Sequence, residues 1–314
     1  MKNKNIKILL PGGAGLVGQN LVVQLKKQGY TNIVVIDKHS YNLNILKQLH
    51  PDIECIDDDL AKTGEWINRC DNVDIIVMLQ AQIGAKTSAP FIANNINSTR
   101  YVLETALEKN IPYIVHISSS VVESVADDDY TKTKKDQEEM VAASGVNHCI
   151  LRPTLMFGWF DRKHLGWLSR FMKRIPVFPI PGNGKYMRQP LYVKDFCNII
   201  ISCIEMKPDK KVYNITGNEH VNYIDIIRTI KKVQRLKTLI IKIPYSLFWI
   251  LLKIYAVFSN NPPFTTDQLE SLMAKDEFEV IPWWDLFNTS STPFEVAIHE
   301  TFCDEQYSKI ILEF

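Results

Sequence analysis

The sequence predicts a doubly wound α/β domain built on a parallel sheet, followed by a smaller C-terminal substrate-binding lobe. Short, continuously apolar strands alternate with helix-like segments, a glycine-rich turn joins the first strand to the first helix, and prolines break this pattern after residue 153. Strands of a parallel sheet are buried on both faces, so they are apolar throughout. We therefore expect the first domain in residues 1–153 and mainly the second lobe in 154–314, with later segments completing the sheet.

The predicted elements alternate along the first half of the chain. Strands are expected at Ile6–Leu10, Ile33–Ile36, Ile53–Ile56, Val73–Leu79, Tyr113–Ile117 and His148–Leu151. Helices are expected at Gly18–Gln28, Ala89–Lys109, Tyr130–Ser144, Val193–Ile204 and Ile224–Val233. In the first helix, Leu21, Val22 and Leu25 lie on one face, as in a helix that packs against a sheet.

Composition argues against several functional classes. The 314 residues carry 36 Lys and Arg against 35 Asp and Glu, a net charge of +1, so we expect no nucleic-acid partner. The six scattered cysteines and seven histidines show no metal-ligand spacing, so neither a metal site nor a disulfide framework is expected. The N-terminal sequence fits no signal peptide, which favours a cytoplasmic location.

One apolar and aromatic segment, residues 239–258, requires a separate interpretation. Lys242, Pro244 and Lys253 interrupt it, and a spanning helix needs about 20 nearly uncharged residues. We therefore predict no transmembrane segment here. A packed helix is our interpretation, and a helix that contacts the lipid interface is the alternative.

A glycine-rich turn, Gly12-x-x-Gly15-x-x-Gly18, separates the first strand from the first helix. Glycines permit a tight turn and let backbone N–H groups approach a pyrophosphate at the positive end of the helix dipole. Asp37 ends the second strand, where its carboxylate can accept hydrogen bonds from ribose hydroxyls and would repel a 2′-phosphate. The pattern predicts a dinucleotide site that favours NAD over NADP, although two basic side chains follow Asp37.

A second group of polar residues follows the fifth strand. The strand ends in Ser118-Ser119-Ser120, and Tyr130 and Lys134 lie four residues apart at the start of the next helix, on one face. An ammonium close to a phenol favours the phenolate, so we expect the pKa of Tyr130 to be lowered from about 10. Such a tyrosine can exchange a proton with a substrate hydroxyl, to which a serine can also hydrogen-bond.

Together these motifs resemble the extended short-chain dehydrogenases/reductases of the NAD-dependent epimerase/dehydratase family. The resemblance covers about Lys7 to Gly217 and includes Asp59-Leu60, Leu79-Gln80-Ala81-Gln82, Asn95-x-x-Ser98-Thr99, Leu151-Arg152-Pro153, Arg188-x-x-x-x-Val193-x-Asp195 and Tyr213-Asn214-x-x-Gly217. It implies a Rossmann sheet with NAD as cofactor. The residues expected to bind NAD are Gly12, Gly15, Leu16, Val17, Gly18, Asp37, Asp59, Leu60, Leu79, Gln80, Ala81 and Lys134.

The resemblance also implies an activity, that of an epimerase or related oxidoreductase on a nucleotide-activated sugar. Tyr130 would exchange the proton, Ser119 would hydrogen-bond the sugar oxygen, and Lys134 would hold the nicotinamide ribose. Ser120 is the alternative catalytic serine and a candidate substrate contact, and Arg188 would bind the diphosphate. Family members commonly dimerise through two long helices, so a homodimer is expected.

Departures from the family pattern leave the substrate open. Glu123-Ser124 replaces the usual Tyr-Gly, Leu155 replaces a common asparagine, and no arginine follows Arg235. Ser120-Val121 stands where dehydratases carry Asp-Glu, which argues against dehydration. Two alternatives follow: an NAD(P)-dependent reductase or dehydrogenase of a non-nucleotide or lipid-linked alcohol or ketone, and a non-catalytic dinucleotide-binding subunit.

Overall fold

A sheet of seven parallel strands forms the centre of the protein. The structure is a computed structural model and describes residues 4–124, 127–258, 269 and 278–313. The strands of the sheet are β1 (Ile8–Pro11), β2 (Ile33–Asp37), β3 (Glu54–Asp57), β4 (Ile75–Met78), β5 (Ile114–Ile117), β6 (His148–Pro153) and β11 (Lys211–Ile215). Their order is β11-β6-β5-β4-β1-β2-β3, and each neighbouring pair is parallel. The order reverses direction between β1 and β4, the position at which such sheets bind ligands.

Helices cover both faces of this sheet. They are α1 (Leu16–Lys27), α2 (Ser40–Leu49), α3 (Ala89–Phe91), α4 (Ser98–Glu108), α5 (Asp129–Ala143) and α7 (Val193–Met206), and a π-helical turn, Ile92–Asn97, joins α3 to α4. One apolar core packs the sheet against α1, α2 and α7, and a second packs it against α4 and α5. Val115 belongs to the first core and its neighbour Ile114 to the second, as the alternation of a strand buried on both faces requires.

Most of the remaining described elements surround a third core beside the sheet, whereas Trp283 packs in the first core. The remaining elements are β7 (Met156–Phe157), α6 (His164–Arg174), β8 (Val177–Pro181), β9 (Met187–Arg188), β10 (Leu191–Tyr192), β12 (Val221–Asn222), α8 (Tyr223–Val233), β13 (Leu239–Ile243), α9 (Tyr245–Phe258), α10 (Trp283–Leu286) and α11 (Phe294–Cys303). Three small strand pairs, β7 with β10, β9 with β12 and β8 with β13, order these segments.

The six predicted strands all occur, with ends within two residues of those expected. The helix expected over residues 89–109 is present as the run from α3 to α4, with a π turn inside it. β11 joins the edge of the sheet next to β6. A π turn is a feature often found near functional sites.

The apolar segment 239–258 is not one packed helix, and that expectation is wrong. Leu239–Ile243 forms β13, which pairs with β8, and α9 begins only after Pro244. The three isoleucines of this strand favour a pleated partner, and proline is tolerated at the start of a helix. Among the described residues, no helix is long and apolar enough to cross a membrane.

Candidate active site

The glycine turn after β1 packs closely against the residues that follow β4. A Cβ atom on Gly12, whose φ is +74°, would lie 2.5 Å from the backbone nitrogen of Gln80. A Cβ on Gly18 would lie 2.1 Å from the carbonyl oxygen of Gly13, so α1 packs on the turn only with glycine there. Gly15 differs, since its Cβ would meet nothing closer than 3.7 Å. Two of the three glycines therefore shape the turn, and the second leaves space beside the N-terminus of α1.

Asp37, at the end of β2, is held against this turn. One carboxylate oxygen accepts a hydrogen bond from the backbone N–H of Ala14 at 3.0 Å, and the other accepts one from the N–H of His39 at 3.0 Å. Burial raises the pKa of Asp37, and the two backbone hydrogen bonds partly oppose that effect. The carboxylate is thus preorganised beside the glycine loop.

The basic side chain that follows Asp37 is directed to other partners. Lys38 Nζ donates to Asp59 Oδ1 at 3.4 Å and to Asn94 Oδ1 at 2.5 Å. Asp59 also accepts a hydrogen bond from the backbone N–H of Ala61 at 3.0 Å. The negative charge of Asp59 therefore lies close to Lys38, which reduces the positive potential next to Asp37.

A cleft of about 960 Å³ runs along the carboxyl ends of the strands from this loop. The predicted site residues that line it are Gly12, Gly15, Leu16, Val17, Gly18, Asp37, Asp59, Leu60, Leu79, Gln80, Ala81, Ser119, Ser120 and Tyr130. The fold therefore brings the glycine loop, the acidic residue and the serine and tyrosine hydroxyls into one cavity. Lys134 lies beneath it, with 1% of its surface exposed.

Ser119 and Tyr130 meet at the other end of the cleft. Ser119 follows β5 and accepts a hydrogen bond from the backbone N–H of Val121 at 3.4 Å, and its hydroxyl lies close enough to the phenol of Tyr130 to affect the pKa of that group. Tyr130 lies in the first turn of α5, which Asp128 caps by accepting a hydrogen bond from the N–H of Thr131 at 2.8 Å. The expected lowering of the pKa of Tyr130 is not observed. Burial raises that pKa, and the neighbouring hydroxyl of Ser119 opposes the increase without cancelling it.

Lys134 is fixed at the end of β5 by a backbone carbonyl group and interacts with the charge of Glu138. Its Nζ donates to the carbonyl oxygen of Ile117 at 3.0 Å. Burial lowers the pKa of Lys134 to about 7, and the charge of Glu138 opposes that shift. Arg152 binds Glu138 through Nε at 2.9 Å and Nη2 at 2.6 Å, and it binds Glu123 through Nη1 at 2.9 Å.

Some polar groups in the cleft have no protein partner. Both side-chain amide atoms of Gln80 and the hydroxyl of Ser118 are buried without a hydrogen-bond partner within the part of the chain that the structure describes. Buried polar groups are usually paired in proteins, so these atoms fit a ligand with its own donors and acceptors. Together with the glycine turn and Asp37, they suit a dinucleotide.

Several residues that line the cleft could not be anticipated from any sequence motif. Lys163 and His164, at the start of α6, and Phe278 belong to no motif, yet all three contribute to its wall. Burial lowers the pKa of Lys163 and lowers that of His164 to about 4. Glu123 also lines the cleft, and its carboxylate accepts a hydrogen bond from Asn214 Nδ2 at 2.9 Å.

Arg188, predicted to bind the diphosphate, is not one of the described residues that line the cleft. It lies in β9 opposite Val221 of β12, and its Nη1 donates to the carbonyl oxygen of Met187 at 2.9 Å. The antiparallel pairing of these strands sets the direction of β9, which a motif match could not supply.

Comparisons with known proteins agree with this architecture. A model of the NAD dependent epimerase/dehydratase family matches residues 8–216. The chain is 30% identical over 264 residues to ADP-L-glycero-D-manno-heptose-6-epimerase of Fusobacterium nucleatum, a match that covers 70% of this chain and 77% of that protein. It is 25% identical over 249 residues to the low-salt glycan biosynthesis protein Agl12 of Haloferax volcanii, covering 69% and 79% respectively.

A solved structure shows the same fold over nearly the whole length. UDP-N-acetylglucosamine 4-epimerase from Methanobrevibacter ruminantium M1, in complex with UDP-N-acetylmuramic acid, superposes with a TM-score of 0.73. The match covers 96% of this chain and 97% of that one at 19% sequence identity. At that identity, the likeness concerns the fold.

Proposed function

The chain belongs to the NAD-dependent epimerase/dehydratase family, and from this premise we propose that it is an NAD-dependent epimerase or related oxidoreductase of a nucleotide-activated sugar. One observation carries the proposal: a single cleft joins the glycine turn and Asp37 to the hydroxyls of Ser119 and Tyr130. A cofactor bound at the first pair of features would lie beside a substrate bound at the second.

The cofactor end of the cleft has the chemistry that a dinucleotide needs. Gly15 and the N-terminus of α1 would receive the pyrophosphate, and Asp37 would accept hydrogen bonds from ribose hydroxyls. Asp59 would lie toward the adenine, and the amide of Gln80 would find partners there. NAD, when bound, supplies a group that accepts a hydride from the substrate carbon and can return it.

The hydroxyl end of the cleft would handle the proton. Tyr130 would take the proton from a sugar hydroxyl, and Ser119 would hydrogen-bond the same oxygen. Lys134 lies four residues after Tyr130 on the same helix, and with a pKa of about 7 it is partly charged at neutral pH. That charge would stabilise the phenolate, which burial of Tyr130 otherwise disfavours.

The substrate diphosphate would be held by residues that line the cleft. Ser120 follows the catalytic serine, and Lys163 brings a cationic side chain to the cleft wall. Because Arg188 is not one of the described residues that line the cleft, we assign the diphosphate to Ser120 and Lys163 instead.

Two features of the wall favour a second candidate, an NAD(P)-dependent reductase or dehydrogenase of a non-nucleotide or lipid-linked alcohol or ketone. Leu155 lines the cleft with 44% of its surface exposed, and the carboxylate of Glu123 lies on the same wall. An apolar surface is less suited to a diphosphate than to an uncharged substrate, and Glu123, which is paired with Arg152, adds no positive charge to this wall.

Incubation of the purified protein with NAD and a panel of nucleoside diphosphate sugars tests the proposal, with products separated by chromatography and identified by NMR. Conversion of one sugar into its epimer without net NADH supports epimerisation. Turnover of simple alcohols or ketones alone supports the second candidate. Failure to bind or convert any nucleotide sugar would overturn the first. Tyr130→Phe is the control, because it should reduce turnover by about 10²–10⁴-fold while NAD binding is retained.

A further inference from the structure

A row of exposed apolar side chains lies along one face of α9. Leu247, Ile250, Leu251 and Ile254 follow the spacing i, i+3, i+4, i+7, and each is between 47% and 51% exposed. Residues at this spacing form one stripe along a helix. Phe248, on another side of the helix, is only 9% exposed, so that side is covered. The helix therefore presents a continuous apolar edge to its surroundings, which we call the α9 stripe.

Positive charge is concentrated in the same part of the chain. Residues 226–258 contain seven basic residues and no Asp or Glu, whereas the whole chain has a net charge of only +1. The seven are Arg228, Lys231, Lys232, Arg235, Lys237, Lys242 and Lys253. At the edge of this group, Asp225 pairs with Arg228 at 3.1 Å and Glu295 pairs with Lys232 at 3.3 Å. The excess of positive charge remains large after both pairs are subtracted.

Most of these basic side chains share a shallow groove between α8 and β13. The groove is lined by Ile224, Arg228, Lys231, Lys232, Arg235, Leu236, Leu239, Ile240 and Lys242. Leu239 and Lys242 belong to β13, which runs into α9 through Pro244. Leu239 and Ile241 of this strand are 58% and 37% exposed. The basic groove and the α9 stripe are thus successive parts of one segment.

We propose that this segment docks the protein on the surface of a membrane that contains anionic lipids. An apolar helix edge enters the boundary between headgroups and acyl chains, while lysine and arginine attract anionic headgroups. A partner protein with an apolar groove would match the stripe without requiring the cluster of positive charge. The combination of the two favours a lipid surface.

Co-sedimentation of the full chain with vesicles tests this proposal. Vesicles of phosphatidylcholine with phosphatidylglycerol should bind the protein at least about tenfold more tightly than phosphatidylcholine alone, and added salt should weaken that binding. Arg235→Gln with Lys242→Gln should reduce binding by roughly tenfold or more, at about 1 kcal/mol per charge. Lack of binding to anionic vesicles would overturn the proposal.

A second pair of substitutions tests the contribution of the α9 stripe. Ile250→Ser with Ile254→Ser removes two members of the α9 stripe at little cost in helix propensity and should reduce vesicle binding by about tenfold. Ile311→Ser is the matched control, since Ile311 is 42% exposed outside this segment, and should bind as the wild type does. Light scattering tests whether the α9 stripe instead binds a second copy of the chain. If Ile250→Ser with Ile254→Ser converts an oligomer into monomers and leaves vesicle binding unchanged, the stripe binds a second copy and the proposal is wrong.

Discussion

The side chain of Lys134 donates a 3.0 Å hydrogen bond to the carbonyl oxygen of Ile117, the last residue of β5. This bond ties the first turns of α5 to the strand from which the serines emerge. Because this amine is buried, its protonation state is linked to the stability of the fold.

The buried amine should make stability depend on pH. The pKa of Lys134 is lowered from 10.5 to about 7 in the folded protein. Between these values the unfolded chain binds a proton that the folded chain does not, so the free energy of unfolding rises with pH across the window. Lys134→Met removes this titration. We expect the Tm of the wild type to increase, relative to that of the variant, by several degrees from about pH 7 to 10.

Calorimetry of both proteins across this range measures the effect. Lys135→Met is the control, because Lys135 is exposed on the same helix, and its Tm should follow that of the wild type. Parallel curves for Lys134→Met and wild type would contradict the lowered pKa.

Replacing different glycines of the turn should affect protein stability and NAD binding separately. Gly18→Ala places a Cβ 2.1 Å from a backbone oxygen, so we expect a decrease in the free energy of unfolding of about 2 kcal/mol or more. Gly15→Ala meets nothing closer than 3.7 Å and should leave Tm almost unchanged. It should weaken NAD binding by about tenfold or more, because a methyl group would occupy the approach to the pyrophosphate. Equal loss of Tm in both variants would show that Gly15 is structural as well.

Much of the fold, and of the cofactor end of the cleft, could be predicted from short stretches of sequence. The strands are recognisable because each is buried on both faces, and the turn because Gly12 and Gly18 have no room for a side chain. Asp37 was predictable because it directly follows the apolar residues of β2. The parallel pairing of β1 with β2 then places the end of β2 beside the turn.

Features that depend on contacts distant in the chain were not predictable. Glu123, Arg152 and Asn214 come together only after β5, β6 and β11 are aligned. The position of Arg188 depends on the pairing of β9 with β12, and residues 239–243 become a strand because β8 offers a partner. The expectation for the pKa of Tyr130 failed because helix spacing indicates a neighbouring charge but not the degree of burial.

Asp37 should determine which dinucleotide binds. Its carboxylate faces the cleft between two backbone N–H donors and would repel a 2′-phosphate. Asp37→Ala should weaken NAD binding by about tenfold or more, which corresponds to the loss of roughly one charged hydrogen bond. It should also reduce the difference in affinity between NAD and NADP. Titration of both cofactors by fluorescence measures this. Asp57→Ala is a suitable control, because Asp57 ends the neighbouring strand in register with Asp37. Tighter binding of NADP than of NAD by the wild type would refute the assignment.

Glu138 raises the pKa of Lys134, so under the proposed mechanism its replacement should change the pH dependence of turnover. Its negative charge favours the protonated amine, and Arg152 holds its carboxylate with bonds of 2.9 Å and 2.6 Å. Glu138→Gln keeps an oxygen for Arg152 but removes the charge, so the pKa of Lys134 should fall further below its value of about 7. If a charged Lys134 assists proton transfer at Tyr130, the alkaline limb of the kcat profile moves to lower pH. Activity on that limb then falls by roughly tenfold when the pKa of the amine drops by about 1.

The pH profile of kcat distinguishes a role of Glu138 that acts through Lys134 from a purely structural role. In the first case the activity of Glu138→Gln recovers as the pH is lowered, because the amine is protonated again. A purely structural defect would lower kcat by the same factor at every pH and would also lower Tm. Glu139→Gln, at the exposed neighbouring position of the same helix, changes the same chemical group and should keep the wild-type profile. A uniform loss in Glu138→Gln would therefore remove the coupling between Glu138 and Lys134 from the mechanism.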